Sequence, residues 1–297
     1  MKTSTLKMGR LEWLLLLLLA LLWGSSFLFM KIAVQALPVF TVVLGRIGIA
    51  ALLVSGFVYA RRLRWPKTAK RWGQLILLGF LRAGLPISLF VWAGTQIDSN
   101  LSGILNSTTP LFTAIVAHAL TQDEKLNGAR ITGILLGMAG VIMLIGISVL
   151  QGLGSNVLGQ LAILGATCSY GFSNVYGRRF KDMPVAVSTA GLLFGATVII
   201  LPLALVFDQP WTLHFSLQPT LAVLVLAVVN TAIAFLVWLT LILRAGATHT
   251  AQVTFIIPFV SIVLGFLFLG EQIGWNALVG LGFILMGLAV SRRGGGD

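Results

Sequence analysis

Trp23-Gly24-Ser25-Ser26-Phe27-Leu28-Phe29-Met30-Lys31 interrupts an apolar run that opens with six consecutive leucines, Leu14 to Leu19. Small and polar residues inside so apolar a segment need a reason. Half a chain later the stretch has an echo, Tyr170-Gly171-Phe172-Ser173-Asn174-Val175-Tyr176-Gly177-Arg178. An aromatic-Gly pair, a Ser and a cation each recur 147 positions on: Trp23 at Tyr170, Gly24 at Gly171, Ser26 at Ser173 and Lys31 at Arg178.

The surrounding composition is that of a bilayer protein. The chain has 297 residues, 58% hydrophobic and 9% charged, with a mean hydropathy of +0.99; a soluble domain carries about 25% charged residues. Because a hydrocarbon core of about 30 Å takes roughly 20 apolar residues per helix, ten spans are expected. They cover residues 12–35, 39–60, 73–95, 99–120, 129–149, 157–179, 185–207, 218–243, 248–269 and 275–291. The first resembles a signal peptide in its basic lead and leucine core, but its apolar run continues past any cleavage-like site, so it is read as a retained helix.

The net charge of +12 would fit a nucleic-acid partner if the basic residues were clustered on a soluble face. They are not. Of 20 Lys and Arg, 17 fall at the termini or in alternate loops, all on one side of the ten-span arrangement. Basic residues in short loops mark the cytoplasmic side, so both termini are expected in the cytoplasm and no nucleic acid is expected as a partner. Lys31, Arg46 and Arg82 are the three left within helices.

The echo extends along the whole chain. Leu37-Pro38 matches Met183-Pro184, Val91-Trp92 matches Val237-Trp238, Pro110 matches Pro258, and Gly133 and Gly140 match Gly280 and Gly287, at offsets of 146 to 148. Each half, 1–150 and 151–297, holds five spans. Five is odd, so the second half enters the membrane from the opposite face. The expected fold is an all-α membrane protein of two inverted five-helix repeats, a plan that places a substrate site near mid-membrane between the halves.

Proline inside a helix frees the carbonyl four residues back, here those of the repeat mates Asn106 and Thr254, so Pro110 and Pro258 are candidate gating bends. Ser99, Ser102, Asn106, Thr109 and Thr113 form a polar stripe on the fourth span, facing either another helix or a pathway. Thr167, Tyr170, Asn174 and Arg178 repeat it on the sixth, Asn230 lies on the eighth, and Gln252 with Phe255 on the ninth. Trp13, Trp65, Trp72, Trp211 and Trp275 sit at helix ends, as interfacial belts do, and Trp92 and Trp238 fit that reading too. Trp23 and Tyr170 lie too deep for a belt and are candidate cavity walls beside Ser26.

Lys31 can snorkel to the surface. Arg46 and Arg82 lie deeper, where a charge is a functional hypothesis by default; Arg46 reads equally as a cap on broken-helix carbonyls, and Arg82 as the better attractor of a carboxylate. All eight acids lie at helix ends, in loops or at the tail. With no mid-membrane carboxylate to carry a cation, a facilitator is expected, or an exchanger using another group such as His118. The three histidines and the lone Cys168 show no metal spacing, and no phosphate loop is present. No metal, cofactor or catalytic residue is therefore expected, and an intramembrane enzyme is disfavoured. The Gly-x-x-x-Gly matches at Gly133, Gly191 and Gly270 occur about as often as 33 glycines give by chance, so they mark no dimer face; a monomer is plausible.

Trp23-Gly24-Ser25-Ser26-Phe27 with Lys31, then Leu37-Pro38, Arg46, Glu124 and Glu271, resemble the EamA family of the drug/metabolite transporter superfamily. The resemblance covers nearly the whole chain. It implies a basket of ten helices around a central cavity, with the fifth and tenth at the periphery and alternating access by rocking halves. The members it most resembles export aromatic amino acids from the bacterial inner membrane. Two departures make the site asymmetric: Phe172 replaces the first Ser of the motif, and Leu192 stands where a mate of Arg46 would fall. The functional expectation is an exporter of amino acids or similar small metabolites, bounded by lipid. Its candidate substrate-binding residues are Trp23, Ser26, Arg82, Asn106, Tyr170, Asn174, Asn230, Gln252 and Phe255. The alternative is a transporter of organic anions or phosphorylated metabolites that uses Lys31, Arg46 and Arg82.

Overall fold

The structure, a computed structural model, describes residues 9–120, 128–145, 155–238, 240–241, 244 and 253–293. Among these the chain is helical without strands, in ten consecutive spans. They are α1 (Arg10–Ala33), α2 (Val39–Ala60), α3 (Ala69–Ala93), α4 in two pieces (Ser99–Asn106 and Thr109–Leu120) and α5 (Gly128–Ile145). The second set is α6 (Ser155–Gly177), α7 (Val185–Asp208), α8 (Leu217–Trp238), α9 (Val253–Leu269) and α10 (Trp275–Arg293). α1, α2, α3, α7 and α8 are each long and apolar enough to cross a membrane unaided. Leu52, Leu135, Phe207, Phe268 and Trp275 are exposed on the outside of the bundle, where only lipid makes an apolar exterior stable.

Helix packing repeats with the halves exchanged. α1 packs on α9 as α6 packs on α4, α1 meets α8 as α6 meets α3, and α2 meets α8 as α7 meets α3. α2 with α7, α4 with α9 and α5 with α10 pair with their own mates. This pattern requires a pseudo-two-fold axis that relates the helices of each of those three self-paired contacts. Glycines set the close approaches. A Cβ on Gly24 would meet Val260 of α9 at 2.6 Å, and one on its mate Gly171 would lie 3.0 Å from the Phe112 carbonyl carbon of α4. At α5–α10, a Cβ on Gly140 would sit 2.6 Å from the Gly280 carbonyl oxygen. Gly133 and Gly191 thus lie in helix contacts within this chain: Gly133 O faces Gly287, and Gly191 packs against Leu75 of α3.

Polar contacts fasten the two ends of the bundle. At one end Arg71 pairs with Asp182, and Arg244 Nε donates to Glu12 Oε1 at 2.7 Å. At the other, Lys31 Nζ donates to the Ile97 carbonyl at 2.8 Å and lies 4.0 Å from Asp98; this is the anchoring role expected of Lys31. Thr41 N and Oγ1 donate to Asp208 at 2.6 and 3.0 Å, capping the start of α2. Buried Glu271, in the turn before α10, accepts from Ser99 N (2.7 Å), Asn100 N (3.0 Å) and Ser99 Oγ (3.0 Å). A carboxylate there satisfies orphan N–H groups at the start of α4 and complements its dipole. Every one of these contacts joins groups that the loop charges assign to the same face.

The two prolines behave differently. α4 breaks at Ser107–Thr108, ahead of Pro110, and the Asn106 carbonyl freed by the proline accepts from Thr109 Oγ1 at 2.8 Å. α9 runs unbroken from Val253 to Leu269 with Pro258 inside it. The expected matched pair of breaks therefore exists in the first half alone. α3 and α8 agree more closely: each widens to a π-helical stretch, Phe80–Gly84 and Val228–Ile233, at the same place in the repeat. Such widened turns are common at functional sites because they re-aim side chains.

Candidate functional site

A cavity of about 250 Å³ lies between the repeats, just under the roughly 300–1,000 Å³ of drug-sized ligand sites. It suits a small metabolite. α1 presents one helical face to it, Trp23, Ser26, Phe27 and Met30 at spacings of 3, 1 and 3. α6 contributes Tyr170 and Asn174, and α4 contributes Asn106 and Thr109 at its break. The widened turn of α3 places Arg82 and Ala83 on the wall, followed by Ile87 and Phe90. The matching turn of α8 places Asn230 and Thr231, followed by Phe235 and Trp238. On the self-paired helices, Arg46 of α2 faces the cavity in one half and Leu192 of α7 in the other. Among the described residues none of α5 or α10 lines it.

Six aromatic side chains stand on the wall. Trp23 packs edge-on against Phe235 with centroids 6.5 Å apart, and Phe235 packs on Trp238 at 6.1 Å. In the other half Tyr170 stacks on Phe90 at 6.0 Å, and Phe90 meets Phe27 at 5.7 Å.

The polar part of the wall is cationic. Arg82 donates to Asn174 Oδ1 at 2.6 Å, and its guanidinium carbon lies 5.4 Å from the centre of the Tyr170 ring. Asn174 in turn donates to Thr113 Oγ1 at 3.1 Å. Arg46 donates to Thr231 Oγ1 at 3.1 Å and contacts the Met30 sulfur at 3.3 Å. Arg46 thus binds side chains, and the expected alternative of capping backbone carbonyls is replaced by a place on the cavity wall.

Of the nine expected binding residues, Trp23, Ser26, Arg82, Asn106, Tyr170, Asn174 and Asn230 come together on this wall. Asn230, however, is fully buried: its amide nitrogen donates to the Leu22 carbonyl and to Ser25 Oγ at 2.8 Å. It holds α1 against α8, and its Oδ1 is buried without a partner. Gln252 and the side chain of Phe255 lie outside the described residues. Pro110, Pro258 and the exposed His118 are off the wall. Reading from sequence missed Phe27, Met30, Phe90, Thr231 and Phe235, and assigned Trp238 to a belt. Helical spacing from Trp23 was the available signal for Phe27 and Met30. Nothing in the sequence separated Trp238, on the wall, from its mate Trp92, which is 37% exposed on the outside.

The comparisons with known proteins agree with this geometry. A model of the EamA-like transporter family matches the chain twice, at residues 10–146 and 157–293. A protein of Bacillus subtilis named as an uncharacterized transporter is 24% identical over 90% of this chain and 92% of its own length. An Escherichia coli protein named "Probable amino-acid metabolite efflux pump" is 27% identical over 97% and 96%, and an inner membrane transporter of the same species is 26% identical over 93% and 89%. One solved crystal structure shares the fold with a TM-score of 0.68 at 20% identity, covering 94% of this chain and 96% of the other.

Proposed function

Because the chain belongs to the EamA-like transporter family, we propose that it exports amino acids or close relatives, small carboxylates with an apolar and aromatic body, across a bacterial inner membrane. The observation that carries this reading is the cavity between the repeats, walled by Trp23 and its mate Tyr170 and holding two arginines. The aromatic rings take the apolar body, Arg82 and Arg46 take the carboxylate, and Asn106 and Asn174 orient it. Alternating access comes from rocking of the two five-helix units, 1–150 and 151–297, with Pro110 and Pro258 as flexible points. Both termini face the cytoplasm on the evidence of the loop charges. The protein performs no chemistry on what it carries.

A sugar phosphate, the other anionic reading, fits less well, since six aromatic rings would line a site for a molecule with little apolar surface. Counterflow in proteoliposomes across a panel of amino acids, aromatic carboxylates and phosphorylated metabolites, run with and without a pH gradient, tests the proposal. Exchange of an aromatic carboxylate or amino acid is expected; exchange of sugar phosphates alone refutes it.

A further inference from the structure

Arg46 and Arg82 share one cavity, yet every hydrogen-bond or ring partner of either among the described residues is neutral: a hydroxyl, a thioether, an amide oxygen and a phenol ring. Cations inside a membrane-spanning bundle are ordinarily paired. The acids that could pair with them are committed elsewhere. Glu12 is bound to Arg244, Asp98 lies beside Lys31, Asp182 is bound to Arg71, Asp208 caps α2 and Glu271 caps α4. Asp123, Glu124 and Asp297 lie outside the described residues. Among the described residues the cavity therefore has two cationic donors and no counter-ion of its own.

A free amino acid needs a second receptor, for its ammonium. Among the described wall residues no carboxylate offers one. The unpartnered acceptor Asn230 Oδ1 is fully buried, and like Asn106 and Asn174 it supplies only a neutral amide beside two cations. We infer that the substrate is the missing counter-ion: a net anion with a compact aromatic body and no free ammonium group, such as an aryl carboxylate, a 2-oxo acid or an N-acylated amino acid. This inference rests on the transport reading above and narrows its substrate class to the amino-group-free members. Arg46 has no charged mate, because Leu192 occupies the corresponding wall, so both cations lie on first-half helices, α2 and α3.

The test uses three ligands with one ring: 3-phenylpropionate (anion), phenylalanine (zwitterion) and phenethylamine (cation). Each is titrated calorimetrically into the purified full chain in detergent at neutral pH, and each is tried in counterflow. Phenylpropionate is expected to bind at least about tenfold more tightly than phenylalanine, a difference of about 1.4 kcal/mol, with phenethylamine weakest. Arg46→Gln and Arg82→Gln should each erase that preference while leaving phenethylamine unchanged. Arg82→Lys, which keeps the charge, should retain most of it in a monodisperse protein even if the glutamine variant fails to fold. Equal or tighter binding of phenylalanine, binding of none of the three, or an order unaffected by every arginine variant overturns the inference. The two readings fail separately. Carboxylate that binds without counterflow refutes transport alone, and phenylalanine exchanged in preference to carboxylate refutes the charge inference alone.

Discussion

Trp23 and Phe235 meet edge-on in the cavity wall, with centroids 6.5 Å apart and planes at 76°. In the other half Tyr170, the repeat mate of Trp23, stacks on Phe90 instead, at 6.0 Å and 27°. One pair joins α1 to α8 and the other joins α6 to α3, so each aromatic contact bridges the two halves. If the indole is a wall for the substrate ring, Trp23→Ala removes ring contact beyond simple area, worth about 0.5–1.5 kcal/mol. Counterflow should fall by about tenfold or more once lost burial is added. Asn106→Ala, which removes an amide at the break of α4, should lower flux as well. Both variants should run monodisperse in size-exclusion chromatography. Undiminished flux in both would sink the proposed cavity.

Glu271 holds the start of α4 through two backbone N–H groups and a hydroxyl. It belongs to the second repeat and α4 to the first, so the contact is a clamp between halves. Glu271→Ala leaves those donors buried and unpaired, a loss of about 2 kcal/mol for a charge-assisted set. Thermal unfolding of the purified protein should begin roughly 4–8 °C lower, and Glu271→Gln should fall between the two. An unchanged unfolding curve for the alanine variant would show that the clamp carries no stability.

α5 and α10 meet backbone to backbone at Gly140, where a Cβ would stand 2.6 Å from the Gly280 oxygen. No side chain can yield there, because the atom in the way is a carbonyl. Gly140→Leu should cost well over the roughly 1–3 kcal/mol of ordinary overpacking and reduce folded yield sharply. The exposed Gly282, with open space at its Cβ position, is the control: Gly282→Leu should express normally. Equal yields of the two variants would contradict this packing.

The helices were readable from sequence because lipid enforces length and polarity span by span. α2 matches its expected 39–60 at both ends, and α1 and α3 begin two to four residues earlier than hydropathy placed them, at Arg10 and Ala69. The repeat was readable because duplication preserved glycine and proline, whose backbone roles few other residues can fill. The site was readable where a polar residue stood out against oil, as Asn106 and Arg82 do. It was opaque where apolar residues line it: Phe90 and Phe235 look like any lipid-facing phenylalanine until helix rotation is known. Arg46 was ambiguous for a different reason, since its spacing cannot reveal whether it meets a carbonyl or, as the structure shows, Thr231 and Met30.

The asymmetry between α4 and α9 gives the last prediction. In an inverted-repeat carrier the opposite-facing state follows from exchanging the conformations of the two repeats. Here α4 is broken at Ser107–Thr108 while α9 is continuous through Pro258, so exchange closes the first break and opens the second. Amide hydrogen exchange on the purified protein, with and without saturating substrate, reads this directly. On turnover to the other state, amides at 107–109 should gain protection while those at 253–257 lose it, in opposite directions and with the same ligand dependence. Pro110→Ala, which restores the missing donor, should protect 107–109 without ligand and slow exchange across the membrane while leaving ligand affinity within about twofold, because a bend contributes to the rate of rocking and touches no substrate. Protection changes of the same sign in both helices would refute the exchange of states.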